Sequence, residues 1–287
     1  MPELPEVETV RRGLEKLIVG GQITQVHLLY PKLINGDSQA FITGVTNASF
    51  TAIDRRGKYL LLRLSNGHTI VSHLRMEGQY SVESIETRPY KHTEIIFELL
   101  DQRRVFYNDT RRFGRMTLTN THFEINDVPS LAKLGPEPTE KDLALDYMVD
   151  IFSRSKKPVK SFLLDQNQIA GIGNIYADEV LWQSKIHPET PTKTLTVREL
   201  SLLRENIIAE MKRAIAHHGT TVHSFSNVFG EVGQFQNELQ AYGRVGQPCL
   251  RCGTTMVKIK VGQRGTTFCP ACQMTHDRRI DEINRTN

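Results

Sequence analysis

The sequence predicts an α+β multidomain protein in which an all-β segment, an all-α segment and a small cysteine-paired ribbon follow one another along 287 residues. Three observations carry that prediction. Over roughly the first 120 residues the apolar side chains come in short alternating or continuous runs, the pattern of strands. Beyond a proline-rich break they recur at helical spacing. All four cysteines then fall in one C-terminal window.

Taken in order, Val7, Val10, Leu14, Leu17 and Ile18 describe one amphipathic helix ended near Gly20-Gly21. Six or more strands are expected, with runs at 25–30, 59–64, 69–74, 93–99, 104–107 and 115–118. That density implies a β-sandwich or barrel. Pro136-Glu137-Pro138 reads as a boundary. Leu143, Met148 and Phe152 then mark one helix. A shorter one opens after Gly171-Ile172-Gly173 and carries Ile175, Val180 and Leu181. A long one carries Leu200, Leu203, Ile207, Met211 and Ile215 and stops at Gly219. A groove between the all-β and all-α parts is the expected place for a ligand. Residues 220–240 have no period and are too long for a plain connection, which suggests a functional loop.

With 39% apolar and 24% charged residues, the composition is that of an ordinary globular chain. No apolar run is long enough to span a bilayer, and Glu3, Glu6 and Glu8 stand where a signal peptide would carry lysines. A cytoplasmic protein is expected. The net charge is only +4, but residues 244–287 alone carry eight Lys/Arg against three Asp/Glu. Arg103, Arg104, Arg111, Arg112 and Arg115 form a second basic cluster around Asp109, and Arg154, Lys156, Lys157 and Lys160 a third. Patches of this kind on a near-neutral body suit a phosphate backbone.

The cysteines read Cys249-x-x-Cys252 and Cys269-x-x-Cys272 with sixteen residues between the pairs. This is the spacing of two thiolate knuckles closing a tetrahedral zinc site. Disulfides fit poorly with a cytoplasmic chain. Four thiolates leave no open coordination position, so one zinc ion is expected as a staple, supplying the folding free energy that a ribbon of this size lacks. Between the knuckles, Arg264 sits in the tight turn 262–266, placed to hold a phosphate.

The first residues hold a further possibility. Pro2 follows Met1 directly, with Glu3 and Glu6 after it. Such a start is ordinarily a helix N-terminus with acids offsetting the dipole. If Met1 is removed, however, Pro2 becomes a secondary amine, and its attack on an aldehyde-level carbon gives an iminium ion, a good electron sink. Elsewhere, Lys58 stands at the entry to a strand, and Met76 and Phe113 lie in charged turns. Apolar side chains on basic loop tips are wedges that unstack bases. Asn174 after Gly171-Ile172-Gly173 opens a helix that offers free N–H groups to a phosphate.

Together these pieces resemble the bacterial formamidopyrimidine-DNA glycosylases over the whole length. The resemblance runs through Pro2-Glu3-Leu4-Pro5-Glu6, Arg56-Gly57-Lys58-Tyr59-Leu60, Ser72-His73-Leu74-Arg75-Met76, Asp109-x-Arg111-x-Phe113-Gly114, Gly171-Ile172-Gly173-Asn174-Ile175-Tyr176, Gln236-x-Glu238-Leu239-x-x-Tyr242-Gly243-Arg244 and the cysteine ribbon. It implies an N-terminal β-sandwich catalytic domain with its helix (1–133), a helix-two-turn-helix DNA-binding domain with a lesion loop (134–243), and a zinc-finger domain (244–287) whose zinc ribbon spans 249–273.

The resemblance also implies a bifunctional glycosylase and lyase acting on oxidised purines such as 8-oxoguanine. Pro2 would attack C1′ and displace the base, with Glu3 moving protons at the sugar. Lys58 would serve β-elimination and Arg264 δ-elimination. Glu6 would hold the terminus near the helix start. Met76, Arg111 and Phe113 would fill the gap left by an extruded nucleotide. His73, His92, Arg154, Lys160 and Asn174 would contact DNA, and Thr220, Thr221 and Tyr242 would belong to the loop closing over the flipped base. His223 and Lys91-His92-Thr93-Glu94 depart from the usual family pattern, where an arginine and Lys-His-Asp-His are more common.

The implied partner is damaged double-stranded DNA, met by a cytoplasmic, nucleoid-associated monomer with one structural zinc, no organic cofactor and no membrane. Two alternatives stand beside this reading. The sister family, endonuclease VIII, acts on oxidised pyrimidines and begins Pro-Glu-Gly-Pro-Glu, where this chain has Leu4. A non-catalytic zinc-ribbon DNA-binding protein would explain the charge and cysteines but would not need Pro2 at the terminus.

Overall fold

The computed structural model describes residues 1–220, 228 and 233–275. It divides into two compact units, Met1–Lys133 with Ile215–Gln236, and Leu134–Ala214 with Asn237–Asn287. Thr221 and His223 lie outside the described residues.

In the first unit, helix α1 (Leu4–Ile18) buries Val7, Val10, Leu14 and Ile18 on one face. It is followed by β1 (Ile23–Leu28), α2 (Ser38–Val45), β2 (Phe50–Arg56), β3 (Tyr59–Leu64), β4 (His68–His73), β5 (Gln79–Ser84), β6 (Thr93–Leu99), β7 (Arg103–Asn108) and β8 (Arg115–Asn120). Two four-stranded sheets result, in the orders β1-β6-β7-β5 and β2-β3-β4-β8, every pairing antiparallel. The inward residues, among them Phe41, Phe50, Leu60, Leu62, Ile70, Ile95, Phe97 and Tyr107, share one core with α1. This is the expected sandwich with its N-terminal helix.

Strands β2 and β5 and helix α2 of the first unit were not located from the sequence. In β2 the register shifts between Phe50 and Ala52, so the apolar residues Phe50 and Ile53 do not alternate. The edge strand β5 is mostly polar, with Tyr80 its one fully buried side chain. Helix α2 is short, and its start is fixed by Asp37, whose carboxylate accepts from Gln39 N–H at 2.7 Å and Ala40 N–H at 3.0 Å.

Topology places the residues of interest. The Leu74–Gly78 turn carries the chain from β4 into β5, and the Asp109–Gly114 turn from β7 into β8, so both cross from one sheet to the other. Gln79 and Thr93 pair with Asn108, while Tyr59 and Arg115 pair with His73. Lys58, Met76, His92, Arg111 and Phe113 therefore sit at the same ends of these strands.

Short helical turns α3 (Glu124–Asp127) and α4 (Pro129–Ala132) close the first unit's sandwich segment. The second unit holds α5 (Leu145–Ser153), α6 (Val159–Leu163), α7 (Asn174–Gln183), α8 (Val197–Ala216) and the hairpin β9 (Val257–Val261) and β10 (Arg264–Phe268). Its helical and cysteine-rich segments thus cluster together. Helix α7 is buried nearly all round, from Ile175 to Trp182, which explains why its sequence shows little amphipathic pattern. No helix among the described residues is long and apolar enough to cross a membrane.

Candidate functional site

The start of the chain is tied down on three sides. Pro2 is buried immediately before α1, and Glu3 and Glu6 are each 2% exposed. Glu3 N–H donates to Glu6 Oε2 at 2.7 Å, closing the first turn. The other oxygen of Glu6 accepts from Thr220 N–H at 2.7 Å and from the Thr220 hydroxyl at 3.1 Å, across 214 residues of sequence. One turn further on, Glu8 binds Arg55 at 3.1 Å, and Arg55 donates to the Gly57 carbonyl at 2.9 Å, just before the buried Lys58. Burial works to raise the Glu8 pKa, but Arg12, Arg11 and Arg55 outweigh it and hold the carboxyl below its usual range.

His73 stands beside this corner. Its ring meets Tyr59 edge-on at 4.5 Å, and its Nδ1 accepts from Arg75 N–H at 2.9 Å. Burial, reinforced by the charges of Arg75 and Lys58, lowers its pKa to about 3. His73 is therefore a neutral ring at neutral pH, with Nε2 as its donor.

The Asp109–Gly114 turn is wound around one carboxylate. Asp109, 1% exposed, accepts from Arg111 N–H at 2.9 Å, Phe113 N–H at 3.0 Å and Gly114 N–H at 2.8 Å. The result holds Phe113 47% exposed, with the Arg111 guanidinium 4.9 Å from its ring centroid. Met76 is half-buried on the neighbouring turn. His92 is half-buried and accepts Asp109 N–H through its carbonyl at 3.0 Å. Of the basic cluster, Arg104 binds Glu98 at 2.9 Å and Arg103 binds Asp101 at 3.0 Å. The exposed cations of the cluster are those of the turn, Arg111 and Arg112.

In the second unit the hairpin turns at Gly262 and Gln263, both with positive φ (54° and 64°), the type I′ geometry that suits twisted strands. It leaves Arg264 exposed. Lys160 was expected at a phosphate, but it is fully buried. Its ammonium donates to Asp178 Oδ1 at 2.6 Å, the Gly265 carbonyl at 3.0 Å and the Thr266 hydroxyl at 2.8 Å. Asp178 also accepts Thr267 N–H at 3.0 Å, and Asn174 donates its amide to the Gly265 carbonyl at 3.1 Å. Lys160 thus braces the hairpin beside Arg264. Burial raises the Asp178 pKa to about 6, against the pull of Lys160.

Breaking a buried pair leaves an uncompensated charge. Lys160→Met is therefore expected to destabilise the second unit by about 3–5 kcal/mol, read as a lower denaturation midpoint. An unchanged midpoint would show that the pair is not a structural brace. Arg154 is exposed and paired with Asp150 one helical turn away. Tyr242 is half-buried, its backbone N–H held by Glu179 at 2.8 Å together with those of Gln240 and Ala241, both at 2.9 Å.

The sulfur atoms of Cys249, Cys252, Cys269 and Cys272 all lie within 4.8 Å of one another. Three of the separations are 4.0, 3.5 and 3.4 Å, against about 3.8 Å for thiolates 2.3 Å from a tetrahedral zinc. The four cysteines fit one structural zinc. Trp182 Nε1 donates to Cys249 Sγ at 3.4 Å and Arg251 lies 4.1 Å over the Trp182 ring, joining the site to α7.

Asp178 and Glu179 carry this geometry and were not singled out from the sequence, whereas Asp109 was marked there only as part of its motif, with no role given to its carboxylate. Only Asp109, in an Asn-Asp-Thr turn, left a local signal there.

Three family models match in order: the formamidopyrimidine-DNA glycosylase N-terminal domain over residues 1–116, the formamidopyrimidine-DNA glycosylase H2TH domain over 134–226, and a zinc finger found in FPG and IleRS over 246–273. A formamidopyrimidine-DNA glycosylase of Lactiplantibacillus plantarum is 59% identical over 270 residues, 94% of this chain and 98% of the relative. One of Ligilactobacillus salivarius is 53% identical over 274 residues, 96% and 99%. Among solved structures, wild-type Lactococcus lactis Fpg (MutM) in complex with DNA containing N7-benzyl-Fapy-dG matches with a TM-score of 0.90 at 40% identity, covering 95% of this chain and 100% of that one. The same enzyme with DNA containing an abasic site also matches with a TM-score of 0.90 at 40% identity, covering 95% and 99%.

Proposed function

This chain belongs to the formamidopyrimidine-DNA glycosylase family, and from that premise we propose that Pro2, freed of Met1, is the nucleophile of its reaction. The protein is a DNA glycosylase of base excision repair acting on damaged double-stranded DNA, and abasic-site lyase action is typical of its family. The observation that carries the proposal is the anchoring of the N-terminus: Pro2 buried ahead of α1, Glu3 beside it, and Glu6 locking that turn to Thr220. The positive end of the helix dipole disfavours a protonated amine there, which keeps the lone pair available.

The Pro2 nitrogen attacks C1′ and the oxidised purine leaves, protonated; the C1′–O4′ bond then opens, with O4′ taking a proton, and the nitrogen lone pair closes the iminium ion. Glu3 hands protons to and from the sugar. The iminium acidifies the C2′ hydrogen, whose loss expels the 3′ phosphate by β-elimination, with Lys58 as proton donor. δ-Elimination then expels the 5′ phosphate, and Arg264, a poor acid but a strong phosphate ligand, stabilises the departing charge. Met76, Arg111 and Phe113 enter the duplex, Arg111 facing the orphaned cytosine. His73, His92, Arg154 and Asn174 serve DNA contact, and Thr220, Thr221 and Tyr242 the loop over the flipped base. Residues 1–133 are read as the catalytic domain, 134–243 as the DNA-binding domain and 244–287 as the zinc-finger domain, in a cytoplasmic, nucleoid-associated monomer.

Borohydride added to the protein with a duplex carrying 8-oxoguanine opposite cytosine is expected to trap a covalent adduct and to arrest turnover. Binding without an adduct would overturn the nucleophile assignment. A thymine glycol duplex tests the substrate class, since its preferential cleavage would place the chain with enzymes of oxidised pyrimidines.

A further inference from the structure

The Tyr107 side chain is fully buried, yet among the described residues its hydroxyl has no hydrogen-bond partner. Its position is unusual. A Cβ added to Gly78 would lie 2.2 Å from the Tyr107 hydroxyl oxygen, and one added to Gly114 would lie 1.8 Å from it. Gly78 ends the turn that carries Met76, and Gly114 ends the turn that carries Arg111 and Phe113. One phenol thus lies against both turns, where no side chain larger than hydrogen fits. The turns are also joined directly, because the Thr110 hydroxyl donates to Glu77 Oε2.

Beneath them lies a second anomaly. Glu94 is 1% exposed, and neither of its carboxyl oxygens has a hydrogen-bond partner among the described residues. Its strand runs beside Asn108, next to Asp109, the carboxylate around which the Arg111–Phe113 turn is wound, and it lies in the field of Asp109, Arg112 and Arg115 and acts in turn on the Tyr107 phenol. Tyr30, whose N–H donates to the Glu94 carbonyl at 3.0 Å, lies under the Arg112 guanidinium. Two buried carboxyls within each other's field favour a state in which one of them is neutral.

We propose that Tyr107 is a positioning residue that couples the two turns into one two-pronged wedge, and that Glu94 in its neutral form keeps the Asp109-held prong seated. This rests on the reading of Met76, Arg111 and Phe113 as side chains that enter the duplex. Burial and the charge of Asp109 push the Glu94 carboxyl up to about 7. Glu94 is therefore neutral below that pH and becomes a second buried anion above it, repelling the carboxylate that holds the turn.

The test follows unstacking of a 2-aminopurine placed beside the lesion, with cleavage of a single-stranded abasic oligonucleotide as a measure of chemistry that needs no wedge. In wild type, unstacking is expected to slow by about tenfold, the scale of a typical coupling between two sites, as pH rises from 6 to 8.5. In Glu94→Gln the profile is expected to be flat. Tyr107→Phe is expected to slow unstacking while single-stranded cleavage is unchanged, and to make the effects of Met76→Ala and Phe113→Ala additive where wild type shows them non-additive.

Wild-type unstacking in Tyr107→Phe, or an unchanged pH profile in Glu94→Gln, would overturn the coupling. Phe113→Ala separates this from the underlying reading. If that variant unstacks normally, the wedge itself is wrong. If it is slow while Tyr107→Phe is not, only the coupling is.

Discussion

Protein that retains Met1 is expected to yield no borohydride-trapped adduct, and its base excision is expected to fall by at least about a thousandfold, the scale on which loss of a nucleophile acts. The reason is electronic. With Met1 in place the Pro2 nitrogen is a tertiary amide, its lone pair delocalised into the carbonyl, and it cannot form an iminium. The surroundings would change little, since Met1 is 43% exposed and the Glu3–Glu6–Thr220 links lie beyond it. Binding to a lesion duplex should therefore stay within a few-fold of the processed protein. Intact-mass measurement sorts the two forms, and trapping is compared between them. Full trapping by the Met1-retaining form would move the nucleophile elsewhere, with Lys58 the first amine to examine.

Replacing Cys269, which is fully buried, by alanine is expected to remove the single equivalent of zinc and to unfold the segment from Val257 to Phe268. Two strands of five residues cannot hold a hairpin alone. Apparent zinc-binding energies of about 10–16 kcal/mol are folding energy in sites of this kind. Asp178 accepts from Thr267 N–H and Lys160 donates to Gly265 and Thr266, so their contacts should loosen with the hairpin. Metal analysis and hydrogen exchange over 257–268 measure the two effects. Retained protection of that segment without metal would mean that packing against α7, through Trp182 and Cys249, suffices.

The same hairpin shows how legibility divides. Its existence follows from two Cys-x-x-Cys pairs and a Gly-Gln turn, all within the one stretch 249–272. That Lys160 lies under it does not follow. A lysine among Arg154, Lys156 and Lys157 looks like one more surface cation. Asp178, which makes its burial tolerable, is eighteen residues away, and the Thr266 hydroxyl is 106 away. Likewise α1 was legible from a helical period of valines and leucines, while β2 was hidden by a register shift that only the partner strand reveals. Phe113 could be marked as a wedge because an apolar residue in an arginine-rich turn is a local contradiction. Tyr107, which lies against that turn from below, carries no such mark, and Asp109 shows only a turn signal, not the three N–H groups it gathers.

By itself, then, the sequence determined what is encoded in neighbouring residues: the sandwich followed by helices, the four-thiolate zinc site, the proline directly behind Met1, and the loops that bear charged and apolar tips. The tertiary structure alone decided which of those groups face solvent and which are braces. Burial and pairing of a charge depend on partners brought from distant points in the chain, and spacing along the backbone holds no record of that distance in space.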